Sequence, residues 1–166
     1  REFKAEINTW GFSAAPLVDG KKLIVLIGGK PGACVVALDK DSGKELWRAL
    51  DDDDPGYAPP VILKAGGKRQ LIIWTPTKLT ALDPDSGREY WSQAFKVQSG
   101  LSIPTPIYDP GTRRLLVTSF YNGSLMMGLD PAKPTASLLW KGSSDSELPK
   151  NTDGLHSIMC TPVFDG

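Results

Sequence analysis

An eleven-residue phrase occurs twice in this chain and constrains its fold more than any other feature. Ala37-Leu38-Asp39-Lys40-Asp41-Ser42-Gly43-Lys44-Glu45-Leu46-Trp47 returns 44 residues later as Ala81-Leu82-Asp83-Pro84-Asp85-Ser86-Gly87-Arg88-Glu89-Tyr90-Trp91. A fainter echo is Gly128-Leu129-Asp130 followed by Leu138-Leu139-Trp140. Asp to Trp is eight residues in the first two copies and ten in the third, so the third turn is expected to be two residues longer. A proline marker runs in phase: Pro16-Leu17-Val18, Pro60-Val61-Ile62, Pro106-Ile107-Tyr108 and Pro162-Val163-Phe164, at offsets of 44, 46 and 56. Repetition at such a period marks folds in which each unit buries its faces against its neighbours.

Each repeat carries four short apolar runs bounded by Gly, Pro, Asp or Asn. In the first they are Ala14–Val18, Leu23–Ile27, Cys34–Leu38 and Glu45–Ala49. In the second they are Pro60–Leu63, Gln70–Trp74, Lys78–Leu82 and Glu89–Phe95. In the third they are Pro106–Tyr108, Arg114–Ser119, Ser124–Leu129 and Ser137–Trp140. That is strand punctuation, and no stretch sustains a helical period. Four strands in about 44 residues make a propeller blade. The expectation is an all-β, partial β-propeller: blade 1 at about 12–50, blade 2 at 57–95, blade 3 at 103–141, a connector at 142–156 and the first strand of a fourth blade in 157–166.

The motif residues have physical roles. Asp39, Asp83 and Asp130 close a strand, where a carboxylate can accept from backbone N–H groups just ahead and pin the hairpin. Gly43 and Gly87 supply the positive φ that such turns need. Ala37 and Ala81 are small where a neighbouring sheet must approach. Trp47, Trp91 and Trp140 fall on the outermost strand, where a large ring can fill the wedge between twisted blades.

The phrase A-L-D-x-x-S-G-x-x-x-W resembles the pyrroloquinoline-quinone (PQQ) type of propeller repeat, with its tryptophan-docking pattern, over nearly the whole chain. The Gly-His and Trp-Asp marks of a WD repeat are absent from the sequence. The resemblance implies a closed ring of seven or eight blades in the full family and an extracytoplasmic location, in the periplasm or cell envelope. The family includes quinoprotein dehydrogenases and non-enzymatic members such as the propeller lipoprotein of outer-membrane assembly. Fold alone leaves function open.

An enzyme of this kind needs a catalytic Asp and calcium-ligating Glu, Asn and Asp, and many carry an adjacent Cys-Cys pair over the PQQ. Here Cys34 and Cys160 stand far apart, and no calcium set can be placed by motif. The run Asp51-Asp52-Asp53-Asp54 reads as a solvated, self-repelling loop rather than a cation site, since a straight run cannot fold four carboxylates onto one ion. Gly28-Gly29-Lys30-Pro31-Gly32 lacks phosphate-loop spacing and precedes a strand. His156, the single histidine, has no triad or zinc partner motif nearby.

Nineteen basic and nineteen acidic side chains cancel, and no basic run is interleaved with aromatics, so nucleic acid is not an expected partner. The most apolar stretch, Leu23–Gly29, is too short to span a bilayer. The first residues carry no apolar leader, and both ends read as cut from something longer. What remains is a face. Trp10 and Tyr57 sit in or beside connectors into a first strand, while Lys30, Trp74, Tyr121 and Asn122 sit at turns between second and third strands. In a propeller these share one face. The expected function is therefore a non-catalytic scaffold or binding module that presents this face to a protein or small ligand, with no cofactor. The alternative is part of a PQQ- and calcium-dependent dehydrogenase. Open blade faces also predict self-association.

Overall fold

The structure, a computed structural model, describes residues 2–121, 123–143, 148 and 154–165. They form three four-stranded antiparallel sheets. The first is β1 (Leu17–Asp19), β2 (Lys22–Gly29), β3 (Ala33–Asp39) and β4 (Glu45–Ala49). The second is β5 (Val61–Ala65), β6 (Lys68–Trp74), β7 (Lys78–Leu82) and β8 (Glu89–Ala94). The third is β9 (Ile107–Asp109), β10 (Arg114–Thr118), β11 (Ser124–Leu129) and β12 (Ala136–Lys141). In every sheet the strands lie side by side in chain order, as in a propeller blade. Among the described residues no helix is long and apolar enough to cross a membrane.

Strand periodicity explains how the blades stack. Successive side chains point to opposite faces, so a strand buried on both sides must be apolar throughout. In β6, Leu71 and Ile73 join Ile24, Val35, Ala37 and Trp47 in one buried cluster. Ile72 and Trp74, between them, join Leu115, Val117, Leu125 and Met127 in the other. The middle sheet is thus the filling between its neighbours.

The hairpin chemistry follows the motif. Asp39 Oδ1 accepts from Asp41 N at 3.2 Å and Ser42 N at 2.8 Å. Asp83 Oδ1 accepts from Asp85 N at 2.8 Å, and Asp130 Oδ1 from Ala132 N and Lys133 N at 2.8 and 2.9 Å. These bonds hold all three carboxyls below their usual range. For Asp39 the Ser42 hydroxyl contributes most, for Asp130 the Ala132 amide, and for Asp83 the bonds outweigh an opposing burial effect. Gly43 and Gly87 have φ of 72° and 73°.

Trp47 lies across the joint between sheets one and two. Its Nε1 donates to Pro84 O at 3.3 Å, and its ring covers Gly87 so closely that a Cβ there would meet Cε3 at 2.6 Å. Trp91 instead donates within its own sheet, to Gln70 Oε1 at 2.8 Å. At the end of the sheets that carries the β1–β2 and β3–β4 turns, charge ties the first joint: Asp19 pairs with Lys22 and Arg69, and Lys22 reaches Asp85.

Two expectations are corrected. The third β3–β4-type turn is not longer. Asp39 N, Asp83 N and Asp130 N bond to the carbonyls of Lys44, Arg88 and Thr135, the same five-residue step each time. The two extra residues lie in β12. In sheets one and two a bulge falls just before the tryptophan, with Ala37 opposite Trp47 and Ala81 opposite Trp91. In sheet three the bulge has moved down the ladder with it, and Met126 faces Trp140. Secondly, no strand forms in the described residues 157–165, where a fourth blade was expected to open. A strand exists only when paired, and among the described residues no strand lies alongside this segment.

Candidate functional site

The end of the sheets that carries the β2–β3-type turns also carries the connectors, and connector and turn hold each other. Residues 2–11 cross the first sheet: Lys30 N donates to Phe3 O at 2.8 Å, and the Arg48 guanidinium lies 5.4 Å from the Phe3 ring centre. The next connector begins with the acidic run, and each of its carboxylates has its own partner. Asp51 accepts from Gly32 N at 2.8 Å, and Asp53 pairs with Lys30 at 2.9 Å. Asp54 accepts from Asn8 Nδ2 at 2.7 Å and Gly56 N at 2.9 Å. Asp52 accepts from the hydroxyls of Thr75 and Thr77 and pairs with Lys78 at 3.1 Å, with its side chain only 7% exposed. The run is therefore a clamp between the β2–β3 and β6–β7 turns: Asp51 and Asp53 are solvated as expected, whereas Asp52 and Asp54 are turned partly inward. Repulsion along it is offset because each charge faces a different donor.

The aromatic residues divide. Trp10 stands 60% exposed, its ring edge-on to Tyr57 at 5.7 Å between centres, with its backbone N donating to the Tyr57 hydroxyl at 3.5 Å. Tyr57 is buried beneath it. Lys30 is exposed and held by Asp53, whose hydrogen bond raises its pKa. Trp74 does not belong to the face. It is 1% exposed and stacked on Phe95 at 6.2 Å, because its position in β6 points into the joint between sheets two and three. Tyr121 is half-buried, edge-on to Phe120 at 5.4 Å. Asn122 lies outside the described residues. His156 packs over Gly123, and its Nδ1 lies 2.7 Å from Phe120 O, which makes it a tie between connector and turn.

Sequence reasoning read Asp52 and Asp54 only as part of a solvated loop and missed Asn8, Thr75, Thr77 and Ser102. The last is buried at the close approach of two connectors, where Tyr57 N donates to Ser102 O at 3.0 Å and Gly56, at φ 70°, leaves no room for a Cβ beside the Ser102 hydroxyl. Only the unusual length of the acidic run signalled any of this.

Among the described residues no three His, Cys, Asp or Glu side chains converge as metal ligands. The clustered carboxylates are spent on Thr, Lys, Asn and backbone donors. Cys34 is fully buried in the first core, and burial, with the Asp52 charge second, pushes its thiol up to about 12.

A family model described as outer membrane protein assembly factor BamB matches residues 3–150. The chain belongs to this PQQ-repeat family. Among solved structures, the crystal structure of BamB from Moraxella catarrhalis is similar at 20% identity and a TM-score of 0.47, over 80% of this chain and 38% of that one. The chain thus spans well under half the length of that BamB chain. No curated protein matches it. Family membership accounts for the blade motif.

Proposed function

We propose that this BamB-family chain is a non-catalytic part of an envelope propeller that binds protein through its connector face, with Trp10 as the anchor. The supporting observation is the Trp10–Tyr57 pair: a large ring left in water, already oriented by a buried aromatic and by a backbone bond, on a rim clamped by Asp52 and Asp54. Exposed, preordered Trp and Tyr are the residues that carry binding energy at protein interfaces, because little side-chain freedom is lost on contact. The family description, an outer membrane protein assembly factor, favours a partner in outer-membrane protein assembly and an extracytoplasmic location. The dehydrogenase reading gains no support, since the carboxylates near the face already have donors.

The test is a photocrosslinking residue at position 10, compared with one at Lys44 on the opposite end, in cells making the full protein. The reading expects a defined crosslink to an envelope protein from position 10 only, weakened when Tyr57→Ala removes the support. Equal crosslinking from both positions, or calcium-dependent PQQ binding by the purified protein, would overturn it.

A further inference from the structure

We propose that the cavity between the second and third sheets, at the end opposite the connectors, is a binding site for a phosphate-type oxyanion. The cavity measures about 640 Å³ and lies between the β5–β6 turn and the β9–β10 turn. Lys64, Lys68, Arg69 and Arg113 line it, and no carboxylate does. In a chain of zero net charge, four cations around one open hollow are a local concentration of field that draws anions in.

The neighbouring acids lie outside the lining and are hydrogen-bonded by their own hairpins, although the Asp130 charge still acts on Arg113 through space. Asp109 is turned onto its own hairpin, accepting from Gly111 N at 2.9 Å and Thr112 N at 3.1 Å. Asp130 is likewise held by Ala132 N and Lys133 N. Arg69 is engaged by Asp19, whereas Lys64, Lys68 and Arg113 make no ion pair with any described residue. Arg113 carries a second signal. Its φ is 56°, a backbone region that favours glycine, yet the turn holds a guanidinium there instead. A planar guanidinium beside two ammonium groups suits a tetrahedral oxyanion, the first by paired hydrogen bonds and the others as point charges.

The walls are fixed. Gly66 abuts the Lys133 carbonyl without space for a Cβ, so the second and third sheets meet backbone to backbone at the cavity's edge. Beside it runs a trough of about 440 Å³ lined by Val61, Ile62, Leu63 and Pro106, which shares Lys64, Tyr108 and Pro110 with the cavity. Cations adjoining an apolar trough match a phosphate ester with an apolar portion, as in an anionic phospholipid. Inorganic phosphate shares the head chemistry alone.

The experiment titrates the chain with inorganic phosphate and, separately, with dihexanoylphosphatidylglycerol below its micelle concentration, following the Gly66 and Gly67 amides by NMR. Saturable shifts are expected with both. At least tenfold tighter binding of the lipid would identify a lipid headgroup as the source, and equal binding a free phosphate. Arg113→Gly, which suits the backbone there, and Lys64→Gln with Lys68→Gln, both exposed, should each weaken binding at least tenfold while the remaining amide spectrum stays native. Absence of saturation with either compound, or binding unchanged in these variants, overturns the proposal. Neither result bears on Trp10, which lies at the other end of the sheets.

Discussion

Gly43 and Gly87 form a matched pair that isolates what one tryptophan contributes to holding two blades together. Both close the same Asp-x-x-Ser-Gly turn, at φ of 72° and 73°. A Cβ at Gly43 meets nothing within 4 Å, whereas at Gly87 it strikes the Trp47 ring at 2.6 Å. Alanine in the left-handed region costs about 1 kcal/mol at either site. At Gly87 the ring must also retreat. It loses its hydrogen bond to Pro84 O, about 1 kcal/mol, and part of its packing on Leu71, Ile73 and Leu82, about another 1. Gly43→Ala should therefore cost about 1 kcal/mol and Gly87→Ala about 3. Urea unfolding followed by circular dichroism would measure both, and the gap corresponds to a difference of roughly 6 °C in Tm for a chain of this size. Trp47→Phe is the control: with the ring shortened, the extra cost at Gly87 should shrink. Equal losses at the two glycines would refute the claim that Trp47 ties the first sheet to the second.

The acidic run should respond unevenly. Asp52→Ala removes a nearly buried acceptor shared by two hydroxyls and the countercharge of Lys78 and should cost about 2 kcal/mol, whereas Asp53→Ala breaks an exposed pair with Lys30 and should cost under about 0.5; comparison of their urea midpoints decides it. Asp39, Asp83, Asp109 and Asp130 all have folded pKa values below the ordinary one. Their stabilisation is complete above the unfolded value of about 3.9 and is lost as pH falls through the folded values, so the urea midpoint should hold from pH 7 to about 5 and fall below about 4. A midpoint already falling between pH 7 and 5.5 would contradict that. Only Cys160 is exposed, and the Cys34 thiol is pushed up to about 12, so a disulfide reagent at pH 8 should titrate one thiol natively and two in denaturant.

The fold was legible because its rules are local. Asp39, Gly43 and the unbroken apolar run Leu71–Trp74 state their turn or their two buried faces within a few residues. The face was not legible for the opposite reason. Asp52 and Thr75 are 23 residues apart, and Asn8 and Asp54 are 46 apart, so nothing near either end of the contact announces it. Trp74 was misplaced because its turn-side position suggested exposure, while the sidedness of β6 turns it inward against Phe95. Trp140 misled because spacing counts residues without saying whether the surplus enters a turn or a strand.

That surplus in β12 has a consequence for how such blades diverge. A strand has two sides, so sliding the bulge by one residue would carry the indole to the other surface, while sliding it by two restores its aspect. Trp140 made the double slide and still covers a glycine, with its Cζ2 2.6 Å from where a Gly154 Cβ would stand, as Trp47 covers Gly87. Insertions in the outer strand should thus survive in even numbers. The Asp-to-Trp intervals of eight and ten found here differ by such a step, whereas an interval of nine would need a second bulge, or the loss of the existing one, to keep the indole on the same surface.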